Sequence, residues 1–483
     1  LRLGIVKKQE KRPSSHSSFS SKRGYIVNVT IIGSGYVGLT TAVALALIGH
    51  RTRVYDIDNA KIEGLRVGRA PFYEPGLEEA LQAAQANLQF EYEPSRAFEN
   101  ADVVMIAVGT PPTPAGGANL GYLYTALRDL TEHNTNHDVL VVTKSTVPVG
   151  TGSNVSAFYE QATGRTPLIA SAPEFLRQGR ALADTLYPER LVFGTRDPRA
   201  LTLLRELYEP IISQTFEPPA YLPQPQQRST VPAIECSIES AELAKYAANA
   251  FLATKISFAN EIANVCDLVG GDVQDVMAVL GLDSRIGAQF LQAGLGYGGS
   301  CFPKDTRALA QLSNREGYSF KLLSATIEVN NDQRFRVIDK LERHFGTLQG
   351  KDITVLGLTF KAGTDDLRDA PSLDIIAELV SRGARVTAHD PVALDAAGKM
   401  LPAHVRLCSE AQEALKGADA ALLVTEWPEY RALDWRAAQR SMRHNVIIDG
   451  RNALDHHLLA EIGFVYEGVG RVGRRALPAP TFV

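Results

Sequence analysis

Tyr25-Ile26-Val27-Asn28-Val29-Thr30-Ile31-Ile32-Gly33-Ser34-Gly35-Tyr36-Val37-Gly38 is the stretch whose reading decides the fold. The β-branched run before Gly33 has the composition of a strand buried on both faces of a parallel sheet. The alanine-rich residues 39–49 that follow read as a helix. A GxGxxG between strand and helix is the context in which bare amides and a helix N-terminus receive a pyrophosphate. Gly33, Gly35, Val37 and Gly38 are therefore candidates for a dinucleotide, the alternative being a glycine-rich turn that binds none. A second strand, 52–56, ends in Asp56, about 20 residues on, where a carboxylate bonds a ribose 2′-hydroxyl and repels a 2′-phosphate. This favours NAD over NADP, unless Lys61 softens the repulsion.

At 483 residues, 45% hydrophobic and 22% charged, the chain has the material for about three globular units. A net charge of -4 gives no reason to expect nucleic acid or an anionic membrane as partner. Cys236, Cys266, Cys301 and Cys408 are far apart, without metal-ligand spacing, and read as reduced thiols of a cytoplasmic protein. No metal site is expected. Residues 1–24 are basic and serine-rich without the apolar core of a signal peptide, and read as a disordered arm or an artefact of the assumed start. No run of about 18 apolar residues occurs, so no membrane span is expected.

Two further strand patterns, 101–108 and 138–146, direct Thr110, Ser145 and Thr146 toward the crevice beyond the strand ends where such sheets bind ligands; the threonines serve equally well as helix caps. Glu174, in Ala172-Pro173-Glu174-Phe175-Leu176, is either a working carboxylate or a first-turn acid on the helix expected after it. A strand is expected over 187–194. Residues 217–232, rich in Pro and Gln, form a loop or linker. Then comes the longest helical pattern, 240–269, roughly 45 Å at 1.5 Å per residue and able to bridge two halves. Leu243, Ala247, Ala250, Phe251, Thr254, Phe258, Ile262, Val265 and Val269 make a stripe that is core or dimer contact. Lys245 and Asn249 stand four apart on one face and converge on a ligand, or else Lys245 is an ordinary surface lysine.

Gly296-Tyr297-Gly298-Gly299-Ser300-Cys301-Phe302-Pro303-Lys304-Asp305 puts a thiol at the end of a glycine-dense turn. A cysteine attacks as thiolate, and a nearby cation lowers its pKa; Lys304 is the nearest in sequence. The competing reading is an ordinary buried cysteine. Strand patterns at 352–360, 384–390, 418–425 and 445–450 complete a second parallel sheet without the glycine fingerprint. Lys361 and Arg368 follow its first strand, as ligand contacts or as a solvated basic turn. The chain thus reads as α/β, two Rossmann-like doubly wound domains joined by a long central helix. The expected divisions are 25–235 for NAD, 236–330 for the central helix and cysteine loop, and 331–483 for a second nucleotide.

The ordered motifs GSGYVG, GTPP, KSTVPVG, APEFL, SAELAKYAANAFLATK, SRIGAQFLQAGLGYGGSCFPKD, LGLTFKAGTDDLRDAPS and DGRN resemble the UDP-glucose/GDP-mannose dehydrogenase family, its UDP-glucose branch best, over about 25–470. The resemblance implies oxidation of a nucleotide sugar's C6 alcohol to a carboxylate by two NAD in turn. It implies a thiohemiacetal and a thioester on Cys301, and the following roles with them: Lys245 and Asn249 stabilise oxyanions, Asp305 deprotonates through a water shared with Thr146, and Glu174 assists hydrolysis. It further implies Val37, Asp56, Lys61, Thr110, Thr146, Gln178, Lys304 and Arg368 at NAD. At the UDP-sugar it implies Glu174, Phe175, Leu176, Arg177, Gln178, Lys245, Asn249, Phe290, Leu291, Gln292, Ala293, Gly294, Gly298 and Lys361, with Arg285 reaching from a neighbouring subunit of a homodimer built on the central helix. Three features depart from the family pattern: Gln178 stands for a usual glutamate, Ala362-Gly363 for Pro-Asn, and the loop before the long helix looks inserted. A two-electron alcohol dehydrogenase, a dehydrogenase for another nucleotide sugar, and a nucleotide-binding scaffold without turnover are the rival readings.

Overall fold

The computed structural model describes residues 26–471; the arm at 1–24, Tyr25 and residues 472–483 lie outside the described residues. Two sheets carry the architecture. The first consists of β1 (Asn28–Ile32), β2 (Arg51–Tyr55), β3 (Leu88–Glu91), β4 (Val103–Ile106), β5 (Leu140–Thr143), β6 (Leu168–Ser171), β7 (Leu191–Gly194) and β8 (Ala233–Cys236), in the order β3-β2-β1-β4-β5-β6-β7-β8. β1 to β6 are parallel, and β7 meets β6 antiparallel through Ser171 and Gly194. The second consists of β9 (Asp352–Leu356), β10 (Arg385–His389), β11 (Arg406–Leu407), β12 (Ala420–Leu423), β13 (Val446–Asp449) and β14 (Val465–Gly468), all parallel, in the order β11-β10-β9-β12-β13-β14. Strand order reverses between β1 and β4 and again between β9 and β12, so each sheet has one crevice at its carboxyl edge.

Continuous apolar runs become strands here because helices cover both faces of each sheet. In β4, Val103 and Met105 enter one core while Val104 and Ile106 enter the other. In the second sheet Val355 and Leu422 face one side, Leu356 and Leu423 the opposite one. Each such buried side chain is worth about 1.5–3 kcal/mol over exposure.

The strand expected over 187–194 is only β7, because a short helix, Ala181–Leu186, runs up to Tyr187. The Pro/Gln-rich segment has no regular structure, yet it is packed: Leu222 and Val231 are buried, and the Val231 amide donates to the Ile212 carbonyl (2.8 Å).

The long helix runs Ile238–Val269, 32 residues, begun by Ser237 accepting from the Ser240 amide and ended by Gly270 at φ 79°. Its apolar stripe is core only in part within this chain: Ala250 is buried and Ile262 packs against the second unit's core. Leu243, Phe251, Phe258, Val265 and Val269 are exposed, Phe251 to 67%, while the buried face is Ala241, Glu242, Lys245, Tyr246, Asn249, Ala253, Ser257 and Asn260. Small and polar residues sit inward because the cysteine helix (Phe302–Arg315) and the next helix (Lys321–Gln333) pack closely there, Ser257 donating to the Thr326 carbonyl.

The two sheet units meet across residues 176–179 and 361–369. Tyr36, from the glycine fingerprint, stacks on Phe72 (3.9 Å between centroids) and its hydroxyl lies 3.1 Å from Thr364 Oγ1 and 3.2 Å from Asp365 Oδ1. Glu74 accepts from the Gly179 and Ala181 amides, both at 2.7 Å. A Cβ on Gly179 would lie 2.8 Å from the Gly363 carbonyl oxygen, so the backbones touch where Ala362-Gly363 replaces the bulkier Pro-Asn. Among the described residues, no helix is long and apolar enough to cross a membrane.

Candidate active site

The turn after β1 is built for close approach. Gly33 has φ 104°, closed to L side chains, and a Cβ there would lie 2.7 Å from the Ala107 carbonyl oxygen. A Cβ on Gly38 would fall 1.9 Å from the Gly33 carbonyl oxygen, whereas one on Gly35 meets nothing within 4 Å. Two glycines therefore let helix and strand touch, and the third leaves open space beside the helix N-terminus, which is what a pyrophosphate needs. Asp56 follows β2 and accepts from the Ser34 amide (2.8 Å), Ser34 Oγ (2.5 Å) and the Asp58 amide (3.0 Å), so it stands beside the turn where a ribose would lie.

The second sheet repeats the device and closes it. Asp390, following β10, accepts from the amides of Leu358 and Thr359 and from Trp427 Nε1, and is buried. Its other oxygen accepts from the amides of Val392 and Ala393.

Cys301 occupies the N-cap of the cysteine helix. The residue is exposed, but protein surrounds its sulfur closely enough for desolvation to push the thiol pKa up. Lys245 pulls it down, Glu174 and Asp305 push up, and Ser300, with Oγ 3.6 Å from Sγ, pulls down. The stabilising cation is thus Lys245, and the expectation that Lys304 plays this part is corrected. Lys304 is a neighbour in sequence, but its ammonium is held by Asp305 Oδ1 at 2.5 Å.

Lys245 is buried on the long helix with Nζ 2.9 Å from Glu174 Oε1 and 5.4 Å from the centre of the Phe175 ring. Burial alone would lower its pKa; Glu174, then Cys301 and Asp305, outweigh burial and raise it. Lys245 is therefore no solvated surface lysine. Nor is Glu174 a first-turn acid: it lies in the loop after β6, well before the helix at Ala181–Leu186, with its other oxygen accepting from the Leu176 amide (2.5 Å).

Asn249, one turn beyond Lys245, donates to Asp305 Oδ2 at 2.6 Å, and Asp305 is 1% exposed. From Lys304 the contacts continue to Thr110 Oγ1 (3.5 Å), which donates to the Thr146 carbonyl (2.8 Å). Neither threonine caps a helix: the flanking N-caps are Leu120 and Gly150. One network thus joins the ends of β4 and β5 to the long helix and the cysteine helix.

Across the cleft, Gln178 Nε2 donates to buried Asp366 (3.0 Å), which also pairs with Arg368, while Lys361 donates to the Gln178 carbonyl (2.5 Å). Burial opposes ionisation of Asp366, but Arg368 and then the Gln178 amide outweigh it and hold the carboxyl below its ordinary value. Arg177 is held by Asp184. Leu291, Ala293 and Gly298 are buried, and Gly294 bonds Asn260 through its amide and Gln333 through its carbonyl. Phe290, at φ 64°, faces Phe302 at 6.1 Å.

Two candidates stand apart: Lys61, on the helix Asn59–Arg66 after β2, pairs with Asp58, and Arg285 is 86% exposed and bonded to Asp283. Surface depressions of about 240 Å³ around Trp435 and about 370 Å³ around Arg51 and Arg53 include none of these residues. Among the described residues no group of three His, Cys, Asp or Glu side chains is placed to hold a metal.

Sequence reading missed Lys144, Glu242 and Asp366. Glu242 is legible in retrospect as an acid three residues before Lys245 on a mainly apolar helix; Lys144 stood inside a motif already quoted, and nothing in sequence distinguishes Asp366 from Asp365 beside it.

Models of the UDP-glucose/GDP-mannose dehydrogenase family match the chain over 27–212 (NAD binding domain), 239–332 (central domain) and 354–456 (UDP binding domain). The chain belongs to the UDP-glucose/GDP-mannose dehydrogenase family. This dehydrogenase is 44% identical over 451 residues to the UDP-glucose 6-dehydrogenase YwqF of Bacillus subtilis, covering 92% of its own length and 98% of that relative. It is 40% identical over 458 residues to the UDP-glucose 6-dehydrogenase of Pseudomonas aeruginosa, at 92% and 98% coverage. A solved structure of a UDP-glucose dehydrogenase from Pyrobaculum islandicum superposes with a TM-score of 0.85 at 37% identity, over 94% of this chain and 100% of that one. The dehydrogenase is an NAD-dependent oxidoreductase, and the turn at Gly33–Gly38 with Asp56 fits that cofactor.

Proposed function

We propose that the dehydrogenase oxidises UDP-glucose to UDP-glucuronate by four electrons through a covalent intermediate on Cys301. The observation that carries this reading is a thiol at a helix N-terminus within the field of Lys245, Glu174 and Asp305. The similarity to UDP-glucose 6-dehydrogenases over nearly the whole chain supports the sugar.

NAD supplies the hydride acceptor in both oxidations. In the first, the C6 alcohol loses its proton to Asp305 by way of a water held with Thr146, and the carbon becomes an aldehyde. An aldehyde does not readily lose a second hydride until a nucleophile adds to it. The Cys301 thiolate adds, and Lys245 with the second amide hydrogen of Asn249 stabilises the resulting oxyanion; one such donor is worth about 3 kcal/mol. Loss of hydride turns the thiohemiacetal into a thioester. Water, with Glu174 as base, then breaks the C–S bond, giving the carboxylate and free Cys301. Lys361, Arg177, Gly294 and Gly298 hold the UDP-sugar, and Arg368 and Lys304 face NAD.

The apolar face of the long helix, Leu243, Phe251, Phe258, Val265 and Val269, supports a homodimer in which Arg285 reaches the partner's site. Phe251→Glu should yield a monomer on sedimentation; an unchanged dimer refutes that assembly.

Counting NADH per UDP-glucose consumed tests the chemistry: two are expected, one indicates a two-electron alcohol dehydrogenase, and none a scaffold. A panel with UDP-N-acetylmannosamine and GDP-mannose tests the sugar.

A further inference from the structure

We propose that Lys144 is a positioning residue for the hydrolytic half of the reaction, holding the Ala172-Pro173-Glu174 turn so that the Glu174 carboxylate stays over the acylated sulfur. This rests on the thioester reading above.

Lys144 is the first residue beyond β5 and is buried. Its ammonium donates to the Ala172 carbonyl at 3.0 Å, and the Ala172 amide donates back to the Thr143 carbonyl at 3.0 Å. The ends of β5 and β6 are thus tied twice, two residues before Glu174. Among the described residues the Ala172 carbonyl is the one hydrogen-bond acceptor Lys144 meets, with the Tyr208 ring 5.9 Å away. Burying a cation against a single backbone carbonyl is an expensive way to fill space that methionine would fill for less.

The groups facing this ammonium come from three directions: Glu174 from the β6 loop, Lys245 from the long helix, and Tyr208 from the helix Pro198–Ser213. Burial lowers the Lys144 pKa to about 8, Glu174 pulling it up and Lys245 pushing it down. Lys144 therefore senses the same carboxylate that Lys245 pairs with at 2.9 Å.

Two lysines serve one glutamate because hydrolysis changes its charge. As water attacks the thioester carbonyl, Glu174 takes the water's proton, the C–S bond breaks and the sulfur leaves as thiolate. At that moment the neutral carboxyl loses most of its attraction to Lys245. The Lys144 bond is made to the backbone carbonyl of Ala172 rather than to the carboxylate, and it keeps the turn in place for the next cycle.

The experiment is rapid mixing of the enzyme with excess UDP-glucose and saturating NAD, following NADH. Lys144→Met is expected to release about two NADH per active site in a burst, then turn over slower than the parent enzyme by on the order of 10–100-fold, the usual penalty for a misplaced group. Glu174→Gln should give the same pattern, and adding Lys144→Met to it should slow it no further. Burst and steady state falling by the same factor, neither changing, or multiplicative slowing in the double variant overturns the inference. Should the methionine variant not fold, Lys144→Gln is tested with the same outcomes. Parent enzyme forming fewer than two NADH per UDP-glucose would instead sink the thioester reading itself.

Discussion

In the proposed mechanism both the nucleophile and the oxyanion depend on the Lys245 cation, which replacement by methionine removes. At 2.9 Å from Glu174 Oε1, its gross attraction at an effective dielectric of 20 is on the order of 6 kcal/mol. Truncating one partner of a buried pair costs about 3–5 kcal/mol in stability. On the chemistry, loss of an oxyanion donor worth about 3 kcal/mol lowers kcat by on the order of 100-fold. Because Lys245 exerts the largest pull on the Cys301 thiol against its desolvation, the pH at which that thiol becomes reactive must also rise. The assay is iodoacetamide labelling against pH, read on the Cys301 peptide by mass spectrometry, beside kcat and UDP-glucose affinity. Unchanged labelling midpoint with kcat within about twofold of the parent would refute the assignment of Lys245.

Asp56→Ala should shift the NAD to NADP preference toward NADP, measured as the ratio of kcat/KM; an unmoved ratio shows that Asp56 does not read the ribose. Gln178→Glu sets a second carboxylate against buried Asp366, 3.0 Å from the present amide, and should lower the melting temperature, with the loss recovered in Gln178→Glu/Asp366→Asn. Glu242 is buried, accepts from the Gly150 and Gly152 amides, and is pushed up by desolvation from 4.5 to about 7. The folded state therefore binds its proton more tightly than the unfolded state. Its contribution is present below about pH 4.5 and is lost as pH rises toward 7, by up to about 3 kcal/mol. The stability difference between parent and Glu242→Gln should change across that window, and a constant difference by thermal melting would contradict it.

The first sheet was legible because β1, β4 and β5 are continuous buried runs. β3, with Leu88-Gln89-Phe90-Glu91, and the half-exposed β8 lack that contrast and went unread. The long helix was legible in extent, but its apolar stripe read equally as core or as dimer contact; which residues go inward was set by close helix packing, which put alanine, serine and asparagine inside. At the site, residue spacing singled out Cys301, Lys245 and Asn249, whereas the roles of Asp305 and Glu174 came from the family resemblance. The spacing misassigned the cation because adjacency in sequence favoured Lys304, while the fold turns Lys304 onto Asp305 and brings Lys245 from 56 residues away. Lys144 and Asp366 escaped notice because their partners, Ala172 and Gln178, are joined to them only by the tertiary fold.

The central claim is that one sulfur carries the sugar between two oxidations, and Cys301→Ala tests it most directly. Incubated with UDP-glucose and NAD, that variant should bind both yet form no UDP-glucuronate by chromatography. Undiminished UDP-glucuronate from the same variant would contradict the account.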